Sequence, residues 1–556
     1  MNRNVDDHFN KTPTPHFPRS RFDMGIHKRL QTQGHGRIYP FFARMVYPGD
    51  TWQMDMTTFC RTDTSLRVPL DDIYLDTYWF FIPFRVIDEN FPKVLGEGEP
   101  SDYDDVSYGM PDLEIDDQTT LTINSIFQYL GYNQLAVTDN NDGTYNYFAQ
   151  EDHINPYTLA AYYKVYNDWF RDENLDASIP YKDIYGSDTS TIQALQGTLF
   201  DDFNCLKVNR FHDYFSSGSI APQKGPAQTI PLGTSAPVGV FGPSTGTTTS
   251  GSVLGFNFGT SVVEDKFVQA IGDLSGITGG TNLNVVADLS KAAGTINELR
   301  LAFAIQALYE RRGRFGTRYI ETIRGQWGIE VPDSFFLRPE YLGGNRVTLN
   351  NVPVLSTENS SQLGQMSGNS ATLSNGGSWT KTFIEYGIIL GVSCTRVKHA
   401  YAQGLRKELF SLKTQLDLYN PVFANIGLQP VMAKELCNDP SDPLNDELVF
   451  NYQEPWAELR CDFDTYAGLF GSFSSNSELK NKWHYGDYYL QSPSFSASWL
   501  KEPYQNVART LTGQLINGAG STELEGHQFM FGYYYHPIVT RILPSHSIPV
   551  ELIGHL

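Results

Sequence analysis

Residues 71–87 read DDIYLDTYWFFIPFRVI, the densest aromatic run in the chain, broken by Pro83 and closed by Arg85. In an extended chain Ile73, Leu75, Thr77, Trp79 and Phe81 point one way, and Tyr74, Asp76, Tyr78, Phe80 and Ile82 the other, because side chains alternate along a strand. Both sets are mostly apolar or aromatic. A strand of this kind is buried on both faces, inside a sandwich or against a neighbouring subunit. The uncharged run is far shorter than the roughly 20 residues a membrane helix needs, and no other stretch of the sequence reads as a membrane span.

Working outward, VYPGDTWQMDMTTFC (46–60) carries a Pro-Gly-Asp turn and then places Trp52, Met54 and Met56 on one face of a strand. FIEYGIILGVSC (383–394) and HQFMFGYYYHPIVTRIL (527–543) repeat the strand pattern, the latter with Phe529, Phe531, Tyr533 and Tyr535 on a common face. Two segments have helical spacing instead. In NPYTLAAYYKVYNDWFRDENL, Pro156 suits the first helical position, and Leu159, Tyr162, Tyr163, Tyr166, Trp169 and Phe170 recur with helical period. In GTINELRLAFAIQALYERRGRFG, Thr295 and Glu298 form a capping-box pattern and Gly313 is the expected stop.

Strand patterns therefore open and close the chain, with helices and loops between them. A doubly wound sheet would alternate regularly; this order favours a mainly β protein, a jelly roll with enlarged loops. Residues 222–295 are rich in Gly, Ser, Thr and Pro and poor in charge, and 356–380 form a second polar tract. Loops of such length are uncommon in compact domains and are usually functional or disordered. No fixed-period repeat is present.

The chain has 556 residues and a formal charge of −21. A surface that binds nucleic acid throughout should be basic, so any such contact here is local. Residues 1–40 are locally basic, with seven Lys/Arg against three Asp, and their prolines and weak apolar periodicity read as an arm. The five cysteines, Cys60, Cys205, Cys394, Cys437 and Cys461, form no C-x-x-C pair, which argues against a disulfide framework or a zinc site and for reduced, buried thiols. The N-terminus has no apolar core of a secretory signal.

Catalytic signatures are absent. Asp102, Asp104 and Asp105 lack the full calcium-loop spacing. Gly34-His35-Gly36, His399, His484 and His536 lack metal-ligand spacing, and no nucleophile elbow, P-loop or dinucleotide fingerprint occurs. No cofactor is expected. Arg300, Arg311, Arg312, Arg314, Arg318 and Arg324, interleaved with Phe315, Tyr319 and Trp327, combine the ingredients of single-strand binding. They are equally those of a protein interface, where Arg and aromatics are enriched. Arg311, Arg312, Arg314, Arg318 and Arg324 are thus candidates for intersubunit or DNA contact.

Read in order, the segments resemble one family: the major capsid protein of the gokushovirus branch of the microviruses, small icosahedral bacteriophages with single-stranded DNA. The resemblance runs nearly end to end. It is carried by FPRSRFDM, YPGDTWQMD, PLDDIYLDTYWFFIPFRVI, VLGEGEP, YNDWFRDENL, HDYFSSGSIAPQKG, INELRLAFAIQALYERRGRFGTRYIETI, PDSFFLRPEYLGG, YQEPWAELR and HPIVTRILPSHSIP. Departures fall mainly in 222–295, in 356–380 and near the C-terminus.

The resemblance implies a single eight-stranded antiparallel jelly-roll barrel of viral capsid type, formed by 41–221 and 296–556, with 1–40 as the basic arm. By position, residues 222–295 look like the family's variable surface protrusion at the three-fold axes. It implies pentamers and a sixty-copy T=1 shell, assembled in the bacterial host cytoplasm. The implied partners are copies of itself, the circular single-stranded DNA genome, a DNA pilot protein, a small basic DNA-binding protein and a host surface receptor. Arg19, Arg21, Lys28, Arg29 and Arg37 are the arm's candidates for meeting DNA phosphate. Two rival classes predict different behaviour: a β-sandwich lectin or adhesin would stay a small glycan-binding oligomer, and a glycoside hydrolase would depend on one carboxylate.

Overall fold

The structure is a computed structural model. It describes residues 18–97, 109–115, 120–122, 125–132, 138–139, 144–146, 152–188, 203–226, 238–241, 255–257, 269–271, 284–287, 296–316, 318–330, 332–333, 337–355, 366–439, 441, 447–471, 482–511 and 527–546. The aspartates at 102–105 therefore lie outside the described residues, as do the first 17 residues and most of 222–295.

Ten strands build two antiparallel sheets: β1 (Ser20–Asp23), β2 (His27–Gln33), β3 (Ile38–Val46), β4 (Thr51–Thr62), β5 (Ile73–Pro83), β6 (Glu340–Leu349), β7 (Thr372–Asn375), β8 (Trp379–Thr382), β9 (Gly387–Val397) and β10 (Phe529–Arg541). The four-stranded sheet has the order β6-β5-β9-β3. In the six-stranded sheet β10 and β4 are central. β1 and β2 pair end to end along β10, and β7 and β8 pair along β4. The described strands do not link the two sheets into a closed barrel.

β4 shows why the six-stranded sheet has one wet face. Its Trp52, Met54, Met56, Thr58 and Cys60 are buried and the residues that alternate with them are exposed or half-exposed, a period of two. β10 follows the same rule with Phe529, Phe531 and Tyr533 buried. These rings meet the four-stranded sheet face to face: Phe41 stacks on Tyr533 at 4.5 Å between centroids and meets Trp79 edge-on at 5.0 Å. That inter-sheet core takes Ile73, Leu75, Trp79 and Phe81 from β5.

The opposite face of β5 belongs to a different core. Phe80 and Ile82 are buried there with Tyr78 against them, beneath helix α1 (Tyr157–Val165), whose Tyr157, Leu159, Tyr162 and Tyr163 are fully covered. The four-stranded sheet is thus the middle of three layers. Its aromatic strand is buried twice by the chain's own elements, without need of a neighbouring subunit. The helix continues as a π-turn over Tyr166–Phe170, and Pro156 stands just before its first residue rather than within it.

Residues 20–33 of the stretch read as an arm run as the edge strands β1 and β2. Their weak apolar pattern reflects an edge position with a solvent face. They break around Gly25 (φ 73°), opposite Pro537 of β10. The Pro537 carbonyl accepts from Met24 N at 3.1 Å, so the donor that proline lacks would also face the arm.

The chain divides into two compact units, one of residues 1–220 with 317–556, the other Ala221–Gly316. In the second, hairpins pair Val238–Phe241 with Asn284–Ala287 and Gly255–Asn257 with Gln269–Ile271. Helix α2 (Ile296–Phe315) follows within the same unit. The helix passes through Gly313 and stops at Gly316, whose φ of 86° breaks it. Of the cysteines, Cys60, Cys205, Cys394 and Cys437 are buried free thiols; Cys461 is exposed, against expectation.

Candidate nucleic-acid interface

The five arm candidates separate by strand register. Arg21 lies opposite Thr540 and Lys28 opposite Tyr534. Those β10 residues alternate with buried Phe531, Tyr533 and Val539, so Arg21 and Lys28 share the solvent face of the six-stranded sheet. Arg19 is exposed just before β1. Arg29 lies opposite Tyr533 on the inner side, donates to the Tyr129 carbonyl, and is held below its usual pKa by burial. Arg37 is buried and donates to the Cys205 carbonyl. Alternation thus presents Arg19, Arg21 and Lys28 to solvent and turns the other two guanidiniums onto backbone carbonyls.

The second basic cluster is also divided. Arg311, Arg312 and Arg314 are exposed on α2, with the Arg312 and Arg314 guanidiniums 5.9 and 5.8 Å from the rings of Tyr309 and Phe315. Arg318 belongs to the first unit and is occupied. It donates to the carbonyls of Asn167 (2.9 Å), Asp168 (3.2 Å) and Arg171 (3.0 Å), groups that the end of a helix leaves without intrahelical donors. Arg338 reinforces this end, donating to Asp168 O and stacking 3.8 Å from the Trp169 ring. Arg324, on helix α3 (Tyr319–Trp327), is exposed and pairs with Glu330 at 3.2 Å.

A polar constellation that spacing did not reveal lies behind the arm. Glu502 binds His35 Nε2 at 2.9 Å through one oxygen and His399 Nε2 at 3.0 Å through the other. His399 Nδ1 faces Asp487 at 3.2 Å, and Asp487 also accepts from Arg210, Asn506 and Tyr489. Arg210 donates to the Trp499 carbonyl and stacks on its ring at 4.5 Å. All the charged members are buried. Burial works against both carboxylates' charged forms, yet the cations beside them hold Asp487 and Glu502 well below the usual carboxylate range. Burial likewise opposes charge on His399, but Glu502 and Asp487 outweigh it and push its pKa up to about 9. Every charged group of the cluster is already paired with another of its members. It pins residues 33–37 to strand β9 and to the segment around 502. The only hint in the sequence was Gly34-His35-Gly36: Gly36 has φ 76°, and a Cβ there would meet the Glu502 carbonyl at 2.9 Å.

Carboxylates in an open hollow of about 380 Å³, lined by Tyr214, Glu435, Glu458 and Phe463, also have structural partners. Glu435 accepts from Met432 N and Tyr214 Oη, both at 2.9 Å, and Glu458 pairs with Lys407 at 3.4 Å. Among the described residues no group of His, Cys, Asp and Glu could hold a metal ion, and no helix is long and apolar enough to cross a membrane.

Comparison with known proteins accounts for these observations together. The family model of the phage capsid protein (F protein) matches residues 10–550. Capsid protein VP1 of Spiroplasma virus 4 is 31% identical over 99% of this chain and 98% of its own length. Capsid protein VP1 of Bdellovibrio phage phiMH2K is 31% identical over 97% of each chain. Capsid protein VP1 of Chlamydia phage 1 is 28% identical over 98% of each. The chain thus belongs to the phage capsid protein (F protein) family.

Proposed function

We propose that this capsid protein self-assembles through pentamers into a sixty-copy T=1 icosahedral shell around a circular single-stranded DNA genome. The observation that carries this reading is similarity to phage capsid proteins over essentially the full length of both partners. The two facing antiparallel sheets are consistent with a jelly roll as the shell-forming core. Electron microscopy of the purified chain, with native mass alongside, tests it: closed particles of uniform size, or pentamers that convert to them, are expected. A monomer under all conditions, with and without DNA, would overturn the proposal and favour the lectin reading.

Within that function, Arg19, Arg21 and Lys28 face the genome and contact phosphate, offsetting locally the repulsion between a chain of charge −21 and a polyanion. The support is their shared exposure on a locally basic segment. Replacing all three by Ala is expected to lower the DNA content of particles. The slope of log affinity for single-stranded DNA against log salt should also flatten by roughly 2, about 0.7 per lost phosphate contact. Unchanged DNA content and slope would show that the segment only joins subunits.

Residues 222–295 serve host attachment, a role suited to their low charge and their richness in Gly, Ser and Thr. Particles that still form after removal of 227–295 but no longer adsorb to the host would support this; failure to form particles would count against it. A DNA pilot protein, a small basic DNA-binding protein and a host surface receptor complete the partners, with assembly in the host cytoplasm.

A further inference from the structure

Residues 404–427, GLRKELFSLKTQLDLYNPVFANIG, gather several exposed large apolar side chains within a short stretch of the first unit. Leu409, Leu416, Leu418, Tyr419, Val422 and Ile426 all face solvent, with exposures from 51% at Tyr419 to 81% at Val422.

The segment is built, not loose. The Asp417 carboxylate accepts from Lys413 N (3.0 Å), Thr414 N (2.6 Å) and Thr414 Oγ1 (2.9 Å), and Asn420 Oδ1 accepts from Val422 N at 3.0 Å. Trp456 serves as a peg: its indole donates to the Phe423 carbonyl at 3.3 Å, and its ring meets Tyr419 edge-on at 5.4 Å. Trp456 itself is held at φ 61°, a left-handed backbone that a bulky residue adopts only when its surroundings impose it. Lys407 ties the start of the segment to Glu458 at 3.4 Å. Trp456 and the Lys407–Glu458 pair thus tie the segment down, the turns made by Asp417 and Asn420 shape it at the surface, and the leucines face solvent.

We propose that this segment is a docking surface for a second copy of this chain. Summed over its six large apolar residues the exposed surface is on the order of 700 Å², close to the share each partner contributes to a stable interface. Its charges nearly cancel, Arg406, Lys407 and Lys413 against Glu408 and Asp417, so it lacks the cationic excess a phosphate backbone requires. A preformed apolar surface of this size suits a protein partner, and in a shell the neighbours are other copies; the inference rests on the capsid reading in that respect.

Amide hydrogen exchange on the unmodified chain, free and assembled, tests it without any risk of misfolding. The amides of 409–426 are expected to exchange at least ten-fold more slowly in particles than in free subunits. In a second experiment, Leu416→Asp combined with Val422→Asp should leave the melting profile of the free subunit unchanged, since both side chains are exposed, and cut particle yield at least ten-fold. Unchanged exchange on assembly, or wild-type particle yield from the double variant, would overturn the proposal while leaving the capsid function standing. A wild-type chain that forms no particles would instead overturn the assembly reading on which it rests.

Discussion

Replacing Glu502 by Ala is expected to destabilise the subunit by about 3–5 kcal/mol, the usual cost of removing one partner from a buried ionic pair. Glu502 is buried and its two oxygens are shared between His35, His399 and the Val397 amide. Without it, the only carboxylate His399 keeps among its hydrogen-bond partners is Asp487, which is already committed to Arg210, Asn506 and Tyr489. The segment at 33–37 also loses its link to the segment around 502. Denaturant unfolding of the free subunit measures the loss; a change under 1 kcal/mol would show that the cluster is not an anchor.

The same cluster gives stability a defined pH dependence. His399 has a folded pKa of about 9 against 6.5 for the ordinary side chain, so its contribution is complete below about pH 6.5 and is lost as pH rises through 9. A shift of that size corresponds to about 3 kcal/mol. The carboxylates act in the opposite sense: their pKa values are depressed, so their contribution is complete above the ordinary carboxylate range and is lost as pH falls below it. Stability should therefore be greatest between about pH 5 and 6.5 and decline toward pH 9, with the alkaline decline absent in His399→Gln. An equal alkaline decline in that variant would assign the effect elsewhere.

Trp79→Ala is expected to cost a similar amount, about 3–5 kcal/mol, through lost burial and the cavity left behind. The indole is wholly buried, 5.0 and 5.2 Å from the rings of Phe41 and Phe42 in its own sheet and 5.8 Å from Trp379 in the facing one. These rings are fixed on two hydrogen-bonded sheets and cannot collapse into the gap. Leu490→Ala, at a fully exposed position, should stay within about 0.5 kcal/mol of the parent. Equal losses from the two changes, read as shifts in denaturant midpoint, would contradict the three-layer description.

Local pattern carries the parts of this protein that depend on neighbours in sequence. Alternation in 73–83 foretold a strand covered on both faces, and alternation in 529–533 one covered on a single face, because a strand's side chains must divide between its two sides. Helical recurrence from Leu159 to Tyr166 foretold a helix with a buried aromatic face. The ordered run of family motifs, from FPRSRFDM to HPIVTRILPSHSIP, established kinship for the same reason, being a property of the string itself.

What covers each face, and which charges remain free, was settled only by tertiary structure. Arg37 and Arg21 are equivalent letters in a basic stretch, yet one meets a carbonyl more than 160 residues away and the other meets solvent. Arg318 stood within a run of arginines that looked like a binding surface, and folding brought it to the unsatisfied end of a helix some 150 residues earlier. The ionic anchor joins positions 35, 210, 399, 487 and 502, and no spacing rule spans such separations. Desolvation and hydrogen-bond satisfaction are set by whatever the folded chain brings within a few ångströms, and that depends on the whole path of the chain, not on its neighbours in sequence.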